Sequence, residues 1–135
     1  MPKTAATNES VFTKIIKREL PATIFYEDAE FIVIDNINHV APVHFLVIPK
    51  KPYRSLEEVA LTDDHFHAKI VQIARQVAKQ LGIEKSYKLF MNVGEQVQAV
   101  HHLHLHVTGG WDQSATREEL DQVGMRLHDD GLKKT

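Results

Sequence analysis

Three histidines that alternate with leucines form the strongest chemical pattern in the sequence. They lie in HHLHLHVTGG, residues 101–110, where His102, His104 and His106 are separated by single leucines. Because side chains alternate between the two faces of a β-strand, a strand here would place these imidazoles on one face, about 6.5–7 Å apart. The leucines would lie on the other face, toward a core. His101 falls on the apolar side, and we interpret it as structural or exposed and exclude it from the site.

Three kinds of surface are compatible with such a histidine face. The first is a solvated polar face, although such faces usually mix several polar residue types. The second is a zinc ion bound by imidazoles with one position left for water, but no carboxylate lies nearby in the sequence to orient the ligands. The third is nucleophilic catalysis, in which a neutral imidazole attacks phosphorus and neighbouring imidazoles stabilise the phosphoryl oxygens. We favour the third, which requires neither a metal nor another cofactor.

Histidine suits this chemistry because of its ordinary pKa of about 6.5, which keeps the neutral and protonated forms both available near neutrality. A neutral ring nitrogen is a nucleophile, whereas a protonated or hydrogen-bonded ring stabilises negative charge. Three clustered imidazoles would also influence one another's protonation. The sequence therefore predicts one reactive histidine supported by others, and it leaves the assignment of roles open at this point.

Length and composition restrict the class of protein. The chain has 135 residues, which suits a single domain, and a net charge of −2, which gives no general attraction to nucleic acid or acidic membranes. It contains no cysteine, which excludes disulfides, thiol catalysis and cysteine-based zinc sites. No apolar run approaches a membrane span, and the N-terminus has no signal-peptide core. We predict a cytoplasmic protein with no nucleic-acid or membrane partner.

Strand-like segments surround one long amphipathic helix. The helix is predicted from Thr62 to Gly82, because its apolar residues recur every three or four positions. A short N-terminal helix should begin after Ser10, whose hydroxyl can cap it. Runs of β-prone residues predict five strands, at 23–28, 30–36, 44–50, 86–93 and 99–107.

These elements predict an α+β fold with a five-stranded antiparallel sheet, one main amphipathic helix and a short N-terminal helix. Residues 1–9 are small and polar and are predicted to be a flexible tail, and residues 10–111 to be the domain. Residues 112–135 are predicted to be a C-terminal helical tail, interrupted or frayed at Gly124.

The segment HLHLHVT (102–108) resembles the motif of the histidine-triad family, His-φ-His-φ-His-φ-φ, where φ is apolar; Thr108 fits the last position loosely. FTKIIKRELPATIFYED (12–28), APVHFLVIPKK (41–51) and LGIEKSYKLFMNVGE (81–95) are similar to the nucleotide-binding phosphoramidase branch of that family. The resemblance covers residues 12–111. It implies the histidine-triad fold, a homodimer whose two five-stranded sheets join, and a purine nucleotide, with an AMP or GMP moiety, bound at each site.

The resemblance also implies a role for each residue of the site. His104 corresponds to the nucleophile that takes up the nucleoside monophosphate, and His102 and His106 to residues that orient it and contact the phosphate. His44 corresponds to a fourth histidine of the site. The remaining correspondences are polar contacts to the phosphate or leaving group at Asn92 and Gln98, and a base pocket at Phe12, Ile15, Ile34 and Ile37.

Two departures from the family pattern affect the prediction. Where the family commonly has an acidic residue that binds the ribose hydroxyls, this sequence has Asn36. An amide oxygen can accept from a hydroxyl, but the hydrogen bond is weaker than one to a carboxylate. Asp35 should point to the opposite face unless the strand is irregular. The position of a serine upstream of the triad is Ala99, and the preceding segment is one residue short. These departures affect leaving-group handling more than nucleotide binding.

The predicted function is hydrolysis of purine nucleoside phosphoramidates or acyl-adenylates through a covalent nucleotidyl-histidine intermediate, with release of nucleoside monophosphate. The alternatives are a nucleotide-binding regulatory protein with little turnover, a dinucleoside polyphosphate hydrolase, and a zinc hydrolase.

Overall fold

A computed structural model of the protein describes residues 9–111 and the backbone of residues 125–126. The described elements follow one another in the order α1 (Val11–Ile16), β1 (Thr23–Glu27), β2 (Phe31–Asp35), β3 (Val43–Pro49), a 3-10 turn (Leu56–Glu58), α2 (Asp64–Gln80), β4 (Tyr87–Phe90), β5 (Leu105–Gly109) and β6 (Met125–Arg126).

The strands form one antiparallel sheet in the order β4-β5-β3-β2-β1-β6. Strands β1 to β5 and helix α2 confirm the predicted α+β fold with a five-stranded antiparallel sheet and one main helix. The two-residue strand β6 adds a sixth member beside β1. Among the described residues, no helix has the length and apolarity needed to cross a lipid bilayer.

Each face of the sheet packs against its own helix. The larger apolar cluster lies between the sheet and α2 and includes Phe45, Val107 and Leu103. The smaller cluster lies on the opposite face with α1 and includes Phe12, Ile34 and Leu46. Since side chains alternate along a strand, His44 and His106 belong to the face of the smaller cluster.

The two helices begin where their sequences supply a capping side chain. The Ser10 hydroxyl accepts a hydrogen bond from the Thr13 backbone N–H, and the Asp63 carboxylate accepts one from the Phe66 N–H. Helix α2 ends just before Gly82, which adopts a φ of 77°. A left-handed residue after a helix favours glycine, which explains why the predicted end is confirmed.

Three elements differ from the prediction by more than two residues at an end, or in type. Strand β5 begins at Leu105 instead of residue 99 and continues to Gly109, so His102 and His104 precede the ladder. Strand β4 is four residues long and ends at Phe90, not residue 93. The predicted C-terminal helix lies mostly outside the described residues, and at Met125–Arg126 the backbone is a strand, because it pairs with Thr23 and Ile24 of β1.

Candidate active site

Four histidines converge along β5, the segment before it and the start of β3. Their ring centroids are 4.9 Å apart for His104 and His106, and 5.2 Å apart for His106 and His44. His102 joins them through its backbone, because its carbonyl oxygen contacts the His104 ring. The structure therefore brings together all four histidines that the sequence placed in the site, whereas His101 is exposed and contacts Arg54.

His104 presents one open ring nitrogen. Its Nδ1 lies 2.7 Å from the carbonyl oxygen of His102, and a carbonyl only accepts, so Nδ1 carries the proton. In the neutral ring Nε2 then has a free lone pair, and Nε2 has no hydrogen-bond partner within residues 9–111. The Phe12 ring packs edge-on against His104 at 4.9 Å and restricts its orientation. This nitrogen has the form that a nucleophile requires.

His102 is a support whose two ring nitrogens are both engaged. Its Nε2–H donates to the carbonyl oxygen of Pro49 at 2.9 Å. Its Nδ1 therefore accepts in the neutral ring, and it lies 2.8 Å from the Ser10 hydroxyl and 3.3 Å from that of Thr13. The ring is almost fully buried. These contacts hold the His102 carbonyl that orients His104, and they leave the ring no nitrogen for a phosphate.

His44 and His106 form a hydrogen-bonded pair, with His44 Nε2 3.0 Å from His106 Nδ1. The contact is diagonal across neighbouring strands, because His44 pairs with Thr108 and Leu46 with His106. The Phe90 ring stacks on His106 with centroids 4.5 Å apart and planes 3° from parallel. Phe90 occupies the β4 position directly opposite His106. The His106 ring is thus fixed by one hydrogen bond and one stacking contact.

Burial keeps the site histidines neutral. Desolvation lowers the pKa of His44 to about 4, and the charge of His39 acts in the same direction. Desolvation also lowers the pKa of His106 to about 4, assisted by His104 and His44. Burial lowers the pKa of His102 and of His104 as well, although in each ring a hydrogen bond to a backbone carbonyl opposes it. Neutral rings at pH 7 can attack, donate and accept, which a set of imidazolium ions cannot.

The same contacts bear on the zinc alternative. His44 and His106 each direct one ring nitrogen at the other ring, and both ring nitrogens of His102 have hydrogen-bond partners. These nitrogens are therefore not directed at a common metal position. Across the described part of the chain, no group of three or more His, Asp or Glu side chains is arranged to hold a metal ion.

Asn36 lies beside the histidines, and Asp35 does not. The Asn36 side-chain amide donates to the Asn38 carbonyl at 2.9 Å and lies 3.3 Å from His44 Nδ1. Asp35, one residue earlier, is buried and points to the opposite face of the sheet, where its carboxylate contacts His39 Nε2 at 2.7 Å. The structure thus keeps the regular alternation at the end of β2, as expected for a strand without a bulge there.

The remaining predicted polar residues are placed differently. Gln98 is buried, and its amide group spans the loop before the triad: Oε1 accepts from the Gly94 N–H, and Nε2 donates to the carbonyls of Arg54 and Val100. It braces the loop with these three bonds. Asn92 is exposed just after β4, and its side chain has no hydrogen-bond partner in residues 9–111. A substrate contact stays a prediction for both residues.

Three of the four predicted base-pocket residues pack together. Phe12, Ile15 and Ile34 belong to the smaller apolar cluster and are nearly fully buried. Phe12 also touches the rings of His102 and His104. Ile37 is half-buried in the loop after β2, outside that cluster. The cluster forms an apolar wall beside His104, which suits a planar base.

Several residues of the site were not predicted from the sequence. Ser10 and Thr13 hold His102, Phe90 stacks on His106, and His39 with Asp35 fixes the loop beside His44. Phe90 lies on a predicted strand, so cross-strand pairing with the triad strand was the signal available for it. No local signal identifies the other four, because their partners are distant in the chain or lie in an irregular loop.

Comparison with known proteins agrees with this geometry. The pattern that defines the HIT domain matches residues 17–113. An uncharacterized HIT-like protein of Synechocystis sp. is 43% identical over 103 residues, which cover 76% of this chain and 90% of that protein. A solved HIT family hydrolase from Clostridium thermocellum is 45% identical, covers 82% of this chain and 97% of its own, and superposes with a TM-score of 0.73. A hypothetical histidine triad nucleotide-binding protein from Sulfolobus tokodaii is 26% identical with a TM-score of 0.68, over 83% of this chain and 85% of that one.

Proposed function

The chain belongs to the histidine-triad (HIT) family, and on that basis we propose that it hydrolyses purine nucleoside phosphoramidates or acyl-adenylates. The family assignment supports the coarser description, a HIT-family hydrolase or nucleotide-binding protein. The finer proposal depends on one observation: His104 has its proton fixed on Nδ1 by the His102 carbonyl, and its Nε2 is open and neutral.

In the proposed reaction, His104 Nε2 attacks the α-phosphorus of the substrate. A P–Nε2 bond forms as the P–N bond to the amine breaks, and the leaving amine takes up one proton from solvent. Water then attacks the phosphorus and gives up one proton to solvent, the P–Nε2 bond breaks with its electron pair returning to Nε2, and nucleoside monophosphate is released with His104 neutral again. Two easier displacements replace one difficult one, which is the advantage of a covalent intermediate.

We assign His106 to the phosphoryl oxygens, and we assign His44 to the support of His106, because both ring nitrogens of His44 are engaged. The hydrogen bond between the two rings orders their protons, and both rings are neutral because their pKa values are lowered to about 4. The N–H of neutral His106 can then donate to the negative charge that develops on a phosphoryl oxygen. His102 acts only through His104, since both of its ring nitrogens are engaged.

We assign the nucleoside to the apolar wall and the neighbouring loop. Phe12, Ile15 and Ile34 would contact the base on one side, with Ile37 closing the pocket from the loop. Asn36 would meet the ribose with its side-chain oxygen, because its amide hydrogens are directed at Asn38 and His44. A neutral acceptor binds the hydroxyls more weakly than a carboxylate would. We also propose the homodimer that the family resemblance implies.

Steady-state turnover tests the proposal. We expect the protein to release AMP from adenosine 5′-phosphoramidate, to cleave diadenosine polyphosphates more slowly, and to keep its activity in a chelator. Tight AMP binding with no turnover would favour the regulatory alternative, which Ala99 and Asn36 support. Faster cleavage of the dinucleotides, or loss of activity in the chelator, would contradict the proposal and support the corresponding hydrolase instead.

A further inference from the structure

The loop between β2 and β3 is fastened at both ends by one histidine. His39 Nε2 lies 2.7 Å from Asp35 Oδ1, and His39 Nδ1 lies 3.2 Å from the carbonyl oxygen of Pro42. Both partners are acceptors, so each bond requires a proton on the histidine, and a neutral ring would keep only one of them. We refer to Asp35, His39 and the Pro42 carbonyl as the loop clamp.

The carboxylate of the clamp, that of Asp35, is buried in the protein. Asp35 is 6% exposed, and it is the one carboxylate among the buried residues of the described chain. A buried carboxylate is unfavourable unless it is paired and hydrogen-bonded. Its pairing with His39 meets that requirement and restricts the position of Val40, the residue that follows His39 inside the clamp.

The clamped loop directs hydrogen-bond donors at His44. The Val40 backbone N–H donates to His44 Nδ1 at 3.3 Å, and the Asn36 amide nitrogen lies 3.3 Å from the same atom. The Asn38 carbonyl accepts from that Asn36 nitrogen, which identifies it as the donor end of the amide. A ring nitrogen that faces two donors must be unprotonated, so the proton of neutral His44 lies on Nε2.

This proton determines the state of the next ring. His44 Nε2 lies 3.0 Å from His106 Nδ1 and donates to it, so the proton of neutral His106 lies on its own Nε2. We propose that His39 and Asp35 are positioning residues: they hold the Val40 N–H against His44 and thereby keep His106 in the form that offers an Nε2–H to the phosphoryl group. The catalytic consequence rests on the proposed function, whereas the tautomer does not.

The tautomers can be measured directly by ¹⁵N NMR of the histidine rings in the full chain. We expect His44 and His106 of the wild type to carry their protons on Nε2. In His39→Ala we expect a mixture of tautomers at His106, formation of the nucleotidyl-histidine slowed by about ten-fold or more, and KM for adenosine 5′-phosphoramidate changed by less than about two-fold. His39→Gln, which keeps a donor for one acceptor, should give an intermediate result.

His67→Ala is the matched control, because His67 also binds a backbone carbonyl, that of Ala60, but lies on α2. It should change neither the tautomers nor the rate. The proposal is overturned if wild-type His106 is protonated on Nδ1, or if both His39 variants keep the wild-type tautomer, or if the tautomer changes while the rate does not. If His39→Ala fails to fold, His39→Gln decides. If the wild type forms no nucleotidyl-histidine, the proposed function fails and the tautomers alone decide the clamp.

Discussion

At the scale of single residues, hydrogen-bond partners rather than residue types separate the four histidines of the site. The alternation in the sequence was enough to predict which histidines share a face, and the family resemblance added His44. It was not enough to predict that His102 has both nitrogens engaged while His104 has one open. That difference depends on Ser10 and on Pro49, which are 92 and 53 positions away in the chain.

The protonation of His104 predicts how the first chemical step depends on pH. Only the neutral ring has the lone pair that attacks, and burial lowers the pKa of His104 below its ordinary value of 6.5. His44 and His106, with pKa values of about 4, stay neutral over the same range. The rate of nucleotidyl-histidine formation should therefore fall as the solution becomes acidic, with a midpoint below pH 6.5.

Single-turnover rates with adenosine 5′-phosphoramidate, measured between about pH 4.5 and 8, check this prediction. Circular dichroism at each pH separates loss of activity from acid unfolding. A midpoint at or above 6.5 in folded protein would mean that His104 is not desolvated in the way its burial indicates.

At the scale of elements, the alternation predicted from the sequence begins before strand β5 does in the structure. Leu103, Leu105 and Val107 all reach the larger core, although the ladder begins only at Leu105. Upstream of it, the Leu103 N–H donates to the carbonyl of Tyr53 instead of to a strand. Apolar periodicity reports burial, which the sequence encodes, whereas the ladder depends on where the neighbouring strand turns away.

Helix α1 links the N-terminal segment to the triad through one hydroxyl group. Ser10→Ala removes both the cap on the Thr13 N–H and the closer hydroxyl on His102 Nδ1. We expect a loss of about 1 kcal/mol in the free energy of unfolding and a turnover slowed by a few-fold, because the Thr13 hydroxyl remains near His102.

Thermal unfolding and turnover of adenosine 5′-phosphoramidate check the Ser10 prediction. Ser55→Ala is the matched control, since Ser55 caps the 3-10 turn by accepting from the Glu57 N–H and has no contact with a histidine. It should lose stability without losing activity. Equal activity losses in the two variants would show that Ser10 acts through stability alone.

At the scale of the whole molecule, the two faces of the sheet have different roles. One face packs on α2 and forms the larger core, and the other holds the histidines beside the smaller cluster. The fold class was predictable from the sequence because strong strand patterns surround one helix. Residues 31–34 of β2 are all apolar and are buried on both faces of the sheet. The sequence pattern of this strand therefore does not indicate which face of the sheet holds the site.

The outer edge of β4 supports the proposed homodimer. In the described sheet β4 is a terminal strand, and its Leu89 and Phe90 are about 40% and 39% exposed. An exposed, apolar edge strand is a template for pairing with a second copy. Analytical ultracentrifugation should give twice the chain mass of 15.4 kDa at micromolar concentration.

Leu89→Lys should shift this equilibrium toward the monomer, since a charge at the paired edge opposes burial. Leu61→Lys, at a residue 90% exposed away from β4, should leave the dimer intact. A wild-type monomer, or dissociation by both variants alike, would contradict pairing through β4.

The most direct measurement is the site of covalent modification after a single turnover. The protein is mixed with adenosine 5′-phosphoramidate, quenched within one turnover under conditions that preserve phosphoramidate bonds, digested and mapped by mass spectrometry. We expect one adenylyl group on His104 in the wild type and in His101→Ala, whose exposed ring neighbours the triad, and none in His104→Ala. Absence of an adduct in a wild type that turns over, or an adduct that persists in His104→Ala, would contradict His104 as the nucleophile.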